Sequence, residues 1–439
     1  MIRFFCRNTT LLVLLLFSLD ARRAQAGSYY PDIVAYDAPY NRNPNTWPSM
    51  RQGLLLTKSA YQLLHDQLER HLDPRAPGWD GFWNALAFGG IDIIAGYLPP
   101  FDSWLHEEYH RNVLGLYNIS SYNGVYDLPL GASSIAVYKI KDEELIKLKK
   151  NHPKDMIRLP AAGIEGQLDL INSLRKDQYF LGERGFHEFL VLMELFNGYF
   201  YISSGTSTEA DTFTDERNEV ETEISQRDFV GHDFTSWVYD LHRQDEPYES
   251  RGTHPSGNGI NRYRKYSDLT REEVNFLTLQ SKLYLLNFID PWIWLGPKKQ
   301  GEMYFHGRHY LTAFGSASSL HFYNSTDFGN VILGLTGYRN KLNWFPGLQA
   351  ELFHQPLAKS ALGVYKFSLL AQVWQQPKNL DFDTREARPG AFLRARFYWP
   401  LFENSDYYIE GEQKTQGWVN GTPYLDRNFS LRLGTQIYL

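Results

Sequence analysis

Along the chain the apolar positions change period once, near residue 300, from a helical spacing to alternation. Before that point, LLLTKSAYQLLHDQLERHL at 54–72 places its apolar residues at the three-four spacing of an amphipathic helix. Residues 81–98, GFWNALAFGGIDIIAGYL, are nearly all apolar and end at Pro99-Pro100. They sit at the short limit for a membrane span and contain Asp92, so they read as a buried helix of a soluble domain. FHEFLVLMELFNGYFYI at 186–202 reads the same way. Thr270 and Glu273 form a capping box that opens a further helix over VNFLTLQSKLYLLNFI. Two polar stretches interrupt the pattern. Residues 203–226 carry seven acids and one arginine and read as a solvated loop, with a weak cation site as the alternative. Residues 243–268 are turn-rich and long enough to suggest a functional loop. Residues 27–50, rich in Pro, Asn and Tyr, read as an irregular leader, and no internal repeat is present.

After residue 301 the period is two. Tyr365, Phe367, Leu369, Ala371 and Val373 alternate with Lys366, Ser368, Leu370 and Gln372; Leu393, Ala395, Phe397 and Trp399 alternate with Arg394 and Arg396. About eight such segments, each near ten residues, are separated by turn signals. Their polar faces carry both signs of charge, in His306, Arg308, Glu351, Arg394, Arg396, Glu410, Glu412 and Arg432. Opposed charges can pair inside a small membrane barrel with an apolar outer face. A soluble antiparallel sheet with one wet face gives the same alternation. The expected fold is therefore α+β: a mainly helical domain over 51–300, then an antiparallel β region over 301–439, either a barrel or a barrel-like sheet. The last strand, NFSLRLGTQIYL, resembles the C-terminal signature of Gram-negative outer-membrane barrels, although it ends in Leu439 rather than an aromatic residue. The resemblance implies outer-membrane association.

The first 26 residues change the compartment. Arg3 and Arg7, the short apolar core LLVLLLFSL and Ala24-Gln25-Ala26 have the order of a secretory signal peptide. Its removal takes four arginines and one aspartate from a net charge of −6, leaving −9, and takes Cys6, the single cysteine. An exported chain without cysteine has no disulfide framework, which fits the periplasm or outer membrane of a Gram-negative cell. Mild acidity argues against nucleic acid as a partner. The aromatic content, 15%, fits either a large core or the aromatic girdles of a barrel.

The candidate chemistry lies in WLHEEYHRNVLG, residues 104–115. Pro99-Pro100 stops the preceding helix, Asp102 or Ser103 can cap the next, and Gly115 can end it. Four residues apart, His106 and His110 lie on one helix face, where two imidazoles can meet one tetrahedral Zn²⁺. Glu107, turned about 100° away, is placed to take a proton from water rather than to bind the ion. A plainer reading is a charged wet face, with Glu107 and Glu108 both spaced to pair with Arg111.

HEEYH at 106–110 resembles the HExxH motif of zincin metallopeptidases, over this one helix. The resemblance implies His106 and His110 as zinc ligands and Glu107 as general base. For the third ligand the best candidate is Glu165 in LPAAGIEGQLDLI, similar to the later-helix glutamate of the gluzincin branch. Pro160 can start that helix, and Ala161, Ala162, Gly163 and Gly166 leave a surface another helix can approach closely. Glu188, Glu194 and Asp92 are alternatives, with His187 and His232 behind them. Candidate transition-state stabilisers are His232 and Tyr239. No GxSxG elbow and no phosphate-cradling glycine loop occurs in the chain.

The expected activity is zinc-dependent hydrolysis of a peptide or protein substrate in the cell envelope. Two alternatives stay open: a non-enzymatic envelope structural or binding protein, and a zinc hydrolase of lipid or glycan.

Overall fold

The computed structural model describes residues 32–39, 48–127, 135–182, 186–298, 301–326, 329–402 and 404–437; the segment 1–26, expected to be a signal peptide, lies outside them. The first described element is a strand, Asp32–Pro39 (β1). Helices follow at Met50–Glu69 (α1), Trp79–Gly96 (α2) and Asp102–Gly115 (α3). A two-residue ribbon, Tyr122–Asn123 (β2) with Val137–Tyr138 (β3), precedes Asp142–Asn151 (α4) and the long helix Pro153–Leu181 (α5). Then come Glu188–Ser204 (α6), Glu209–Val220 (α7), Asp233–His242 (α8), Arg271–Tyr284 (α9) and Pro291–Leu295 (α10). Eight strands close the sequence: Tyr304–Thr312 (β4), Gly315–Thr326 (β5), Gly329–Arg339 (β6), Trp344–Ser360 (β7), Gly363–Pro377 (β8), Ala387–Phe402 (β9), Ser405–Lys414 (β10) and Asn428–Ile437 (β11).

The protein is thus α+β, with one nine-stranded antiparallel sheet in the order β1-β11-β10-β9-β8-β7-β6-β5-β4. Among the described residues no ladder joins β1 to β4, so these two strands form the edges. The expected helix-to-strand change near residue 300 is where the structure has it. Part of the expected irregular leader is instead β1. Its Asp32 and Asp37 point inward onto Arg396 and Arg432, which gives a segment of mixed composition a reason to be a strand. The acidic stretch 203–226, expected as a loop, contains α7, whose Arg217 ties to Asp228 and Glu221. Segment 243–268 packs against the body, with Arg262 on Asp142 and Arg251 on Asp240.

The sheet has inverted polarity. Facing out are Leu335, Leu348, Val373 and Leu393, each half or more exposed. Facing in, against α1 and α5, are Arg396, Glu410, Glu412 and Arg432, all nearly without solvent contact. Buried charges are tolerated only when paired. Here Arg432 reaches Glu410 at 3.1 Å, Glu412 at 2.8 Å and Asp37 at 3.1 Å, while Arg396 holds Glu410 at 2.7 Å and Asp32 at 2.8 Å. Lys176 of α5 adds a link to Glu351 of β7 at 3.0 Å. Between α5 and the sheet lies a polar cavity of about 140 Å³. Helices and sheet share one apolar cluster, in which Ile157, Ile164 and Trp237 meet Tyr310, Phe314 and Trp374.

Helix α2 departs from expectation. Phe88 is buried, but most of its large apolar side chains are not: Trp79, Phe82, Trp83, Leu86, Ile93 and Ile94 share an exposed face at helical spacing. Its buried side carries Gly89, pressed on the Phe189 ring, and Asp92, bonded to His65 at 2.6 Å. No described helix is long and apolar enough to cross a membrane.

Candidate metal centre

Helix α3 is buried along most of its length. Leu105, Tyr109, Val113 and Leu114 join Leu159 and Ala162 of α5 in a second apolar cluster. Its N-cap is Phe101, without a side-chain cap bond, and Asp102 is the first helical residue, accepting from Tyr61 Oη at 2.7 Å. Helix α5 begins at Pro153, so Pro160 stands inside it rather than at its start. The close approach expected from the small residues is present. A Cβ on Gly163 would lie 2.3 Å from His106 Nε2, and one on Gly166 would lie 2.9 Å from the Tyr109 ring. The two backbones can sit this near only because these positions have no side chain.

The helix presents its histidines together, with ring centroids 4.8 Å apart. The third group at that point is Asp233, the first residue of α8. Its Oδ2 is 3.3 Å from His106 Nε2 and 3.6 Å from His110 Nε2, and the three ligand atoms lie within 4.8 Å of one another. Bonds of ~2.0–2.2 Å to a tetrahedral ion put neighbouring ligand atoms ~3.3–3.6 Å apart, so these separations fit one metal ion.

The far side of each ring is also fixed. His110 Nδ1 donates to the Leu159 carbonyl at 2.7 Å, and His106 Nδ1 donates to Gln167 Oε1 at 3.2 Å. With Nδ1 committed as donor, Nε2 of each neutral ring carries its lone pair towards Asp233. Gln167 is itself held by Glu194, whose Oε2 accepts from its amide at 2.6 Å. Burial, helped by the neighbouring Asp102, raises the Glu194 carboxyl well above the usual range.

Electrostatics follow the same geometry. Burial opposes charge on His110, but the Asp233 carboxylate outweighs it and pushes His110 up to about 9. Burial likewise opposes charge on Asp233, yet His110 and His106 hold it below the ordinary carboxylate range. Without an ion the cluster is a proton-held pair, and a divalent cation would take the proton's place. Glu107 is buried beside the cluster. Burial raises its carboxyl, and His106 and His110 pull partly the other way. The charged-surface reading of the helix does not describe it: Glu108 pairs with Arg111 and accepts from Asn123 at 2.9 Å, but beneath the surface.

The structure does not bring Glu165 to the histidines. It lies two residues from Gly163, hence about 200° round the helix from His106. There it takes two bonds from Arg158 Nη2, at 2.8 and 3.0 Å, and one from the Gly421 amide at 2.7 Å. Asp92 is taken by His65, and His187 stacks on that same His65 ring at 4.5 Å. Glu188 accepts from the Trp292 indole at 3.1 Å. His232 caps α8 beside Asp233, accepting from the Phe234 amide, and bonds Ser204 Oγ at 2.9 Å; burial pushes it down to about 4 and keeps it neutral. Tyr239 points elsewhere, donating to Glu246 at 2.8 Å with the Arg243 guanidinium 3.8 Å over its ring.

Two functional candidates were not picked from the sequence. Asp233 had a weak signal, an acid opening a helix next to the histidine that was singled out. Tyr201 of α6 had none among so many tyrosines. Its ring is 6.3 Å from that of His106, and its hydroxyl accepts from the Asp233 amide at 3.3 Å.

Residues His106, His110 and Asp233 therefore form a group able to hold a metal ion. Comparisons with protein-family models, with curated proteins and with solved structures gave no match to this chain.

Proposed function

We propose that the protein is an exported, zinc-dependent hydrolase of the Gram-negative envelope, acting on a peptide or protein substrate. The observation that carries the reading is the convergence of three ligand atoms, each histidine fixed from behind, with Glu107 next in the chain to the first of them. His106, His110 and Asp233 would hold the ion, with Asp233 taking the part first expected of Glu165. Bound Zn²⁺ supplies Lewis acidity, which lowers the pKa of water and polarises a carbonyl. Glu107 takes the proton released as water attacks and returns it to the leaving amine. Its burial favours that exchange by lifting its carboxyl towards neutral pH. The Tyr201 hydroxyl, which accepts from the Asp233 amide, lies beside the cluster and is suited to donate to the developing oxyanion. The outward apolar face of the sheet supports placement of the β region against the lipid of the outer membrane.

The test is elemental analysis of untagged protein together with mass-spectrometric detection of cleavage in a mixed peptide library. Wild type should carry about one zinc per chain. Both His106→Ala and Asp233→Asn should lose it, and Glu107→Gln should keep zinc while losing cleavage by ~10²–10⁴-fold. Zinc retained in Asp233→Asn but lost in Glu165→Ala would return the third-ligand role to Glu165. Folded wild type that takes up no metal when zinc is offered would end the reading and leave a non-enzymatic envelope protein. Zinc-dependent cleavage of lipid or glycan alone would move the substrate class.

A further inference from the structure

A second apolar surface lies on the helical side. Besides the face of α2, it includes Phe196 and Phe200 of α6, Ile289 before α10, and Trp294 and Leu295 within it. These elements are one packed shelf. Gly89 of α2 sits on the Phe189 ring of α6, Phe196 meets Phe288 at 5.1 Å, and Trp292 donates to Glu188. The shelf runs on to the sheet, because Leu286 and Ile289 cover the outer side of β4 at Gly307.

Its charge is as telling as its size. No Lys or Arg occurs in α2, α6 or 285–295. The acids there are mostly turned inward: Asp92 to His65, Glu194 to Gln167, and Asp290 to Arg175 at 3.1 Å. Phe88, Leu190, Val191, Leu195 and Trp292 pack inward beside these acids, and the Trp, Ile and Phe side chains of the shelf stand outside, as the leucines of the sheet do. A soluble monomer rarely exposes a contiguous apolar patch of this extent.

We infer that this shelf is a membrane contact, seated among lipid acyl chains and continuous with the outer face of the sheet. It rests on the reading of that sheet as lipid-facing. A surface that turns from helices onto strands without a charged break calls for an occupant without fixed shape, and a bilayer is one. Tryptophans and Tyr97 beside isoleucine and leucine suit the boundary between headgroups and acyl chains. Without cations on the shelf, its attachment draws on apolar burial rather than on attraction to anionic lipid.

The test is nitroxide scanning of the full chain carrying Cys6→Ser, reconstituted in vesicles of phosphatidylethanolamine and phosphatidylglycerol. Labels go on Ile94→Cys, Phe200→Cys and Leu295→Cys for the shelf, Leu335→Cys for the sheet and Glu249→Cys as the aqueous control. Each is read by collision with oxygen and with a water-soluble nickel chelate. Shelf positions should favour oxygen as Leu335 does, and should be unchanged in high salt. Shelf labels that read like Glu249 while Leu335 reads lipid would overturn the inference and spare the sheet. Aqueous readings at all four would overturn both. Spin–spin broadening between chains would assign the shelf to a second copy. Shielding that disappears on deletion of residues 1–26 would assign it to the leader. Either result overturns the inference. The double variant Ile94→Glu, Phe200→Glu should reduce vesicle binding with metal content unchanged, and unaltered binding would also overturn it.

Discussion

Helices α2 and α3 follow one another in sequence and handle polar residues in opposite ways. Helix α3 is buried on nearly every side and holds its histidines and glutamates inside an apolar cluster, each with a named partner or role. Helix α2 has only a narrow buried side, Phe88, Asp92 and small residues, and gives most of its large apolar residues to the outside. The sheet repeats the arrangement of α2 on a larger scale, with arginines and glutamates within and leucines without. Periodicity shows that a helix or strand has two faces. Which face is the inner one depends on what surrounds the molecule, and local spacing does not contain that information.

The comparison breaks most readily at the charged interior. Arg432→Ala would leave Glu410, Glu412 and Asp37 short of a partner, at a cost of ~3–5 kcal/mol. Denaturant unfolding should show this as a lower midpoint, and a change near zero would mean water fills the interior and screens the charges. Next in size is the outer face. Leu393→Arg should cost ~2–4 kcal/mol in bilayers if it lies near the midplane, measured by reversible unfolding from vesicles. A cost near zero would mean that this face meets water.

At the metal centre the corresponding test is Gln167→Leu, which removes the group that orients His106 without touching a ligand. Zinc affinity should fall ~10–100-fold, measured by competition with a chromophoric chelator, and unfolding in the presence of chelator should show a separate cost of ~1–3 kcal/mol because the buried Glu194 loses its amide partner. Equal affinity would make Gln167 mere packing.

The smallest effects are in pH. Burial pushes Asp155 of α5 up to about 6 from an ordinary 3.8, so the folded state binds the extra proton and stability rises as pH falls from 6 towards 4. Glu412 of β10 runs the other way. Burial opposes its charge, but Arg432 and Arg394 hold it down to about 2, so its contribution is complete above 4.5 and is lost between 4.5 and 2. Thermal unfolding against pH should show both slopes, the first removed by Asp155→Asn and the second by Glu412→Gln. A single common slope would mean the two regions do not differ in this respect.

The same contrast sets what could be read from the sequence. The HEEYH pair is local: four residues on one helix fix two ligand positions whatever the rest of the chain does. Asp233 lies 127 residues beyond His106, and only the packing of α3 and α8 against the same helix, α5, brings it there. Gly163 and Gly166 announce a close helix contact that points to Glu165, and that contact exists. The rotation of two residues about the helix carries the carboxylate to Arg158 instead. Strands β4 to β11 follow from alternation, since outward apolar and inward polar residues alternate as cleanly as the reverse. β1 is hidden because DIVAYDAP is short, contains proline, and owes its place to arginines at 396 and 432.

The pairing of β1 with β11 joins Asp32 to Gln436, almost the whole length of the chain. During synthesis the first described strand to emerge has its neighbour emerge last. Until then its ladder edge is unsatisfied, and the arginines that will neutralise its aspartates have yet to arrive. Such a pairing carries a large loop-closure cost and forms late. The interval is one in which the chain depends on being held apart from others of its kind, so its yield in the cell should track the supply of chaperones more than its final stability.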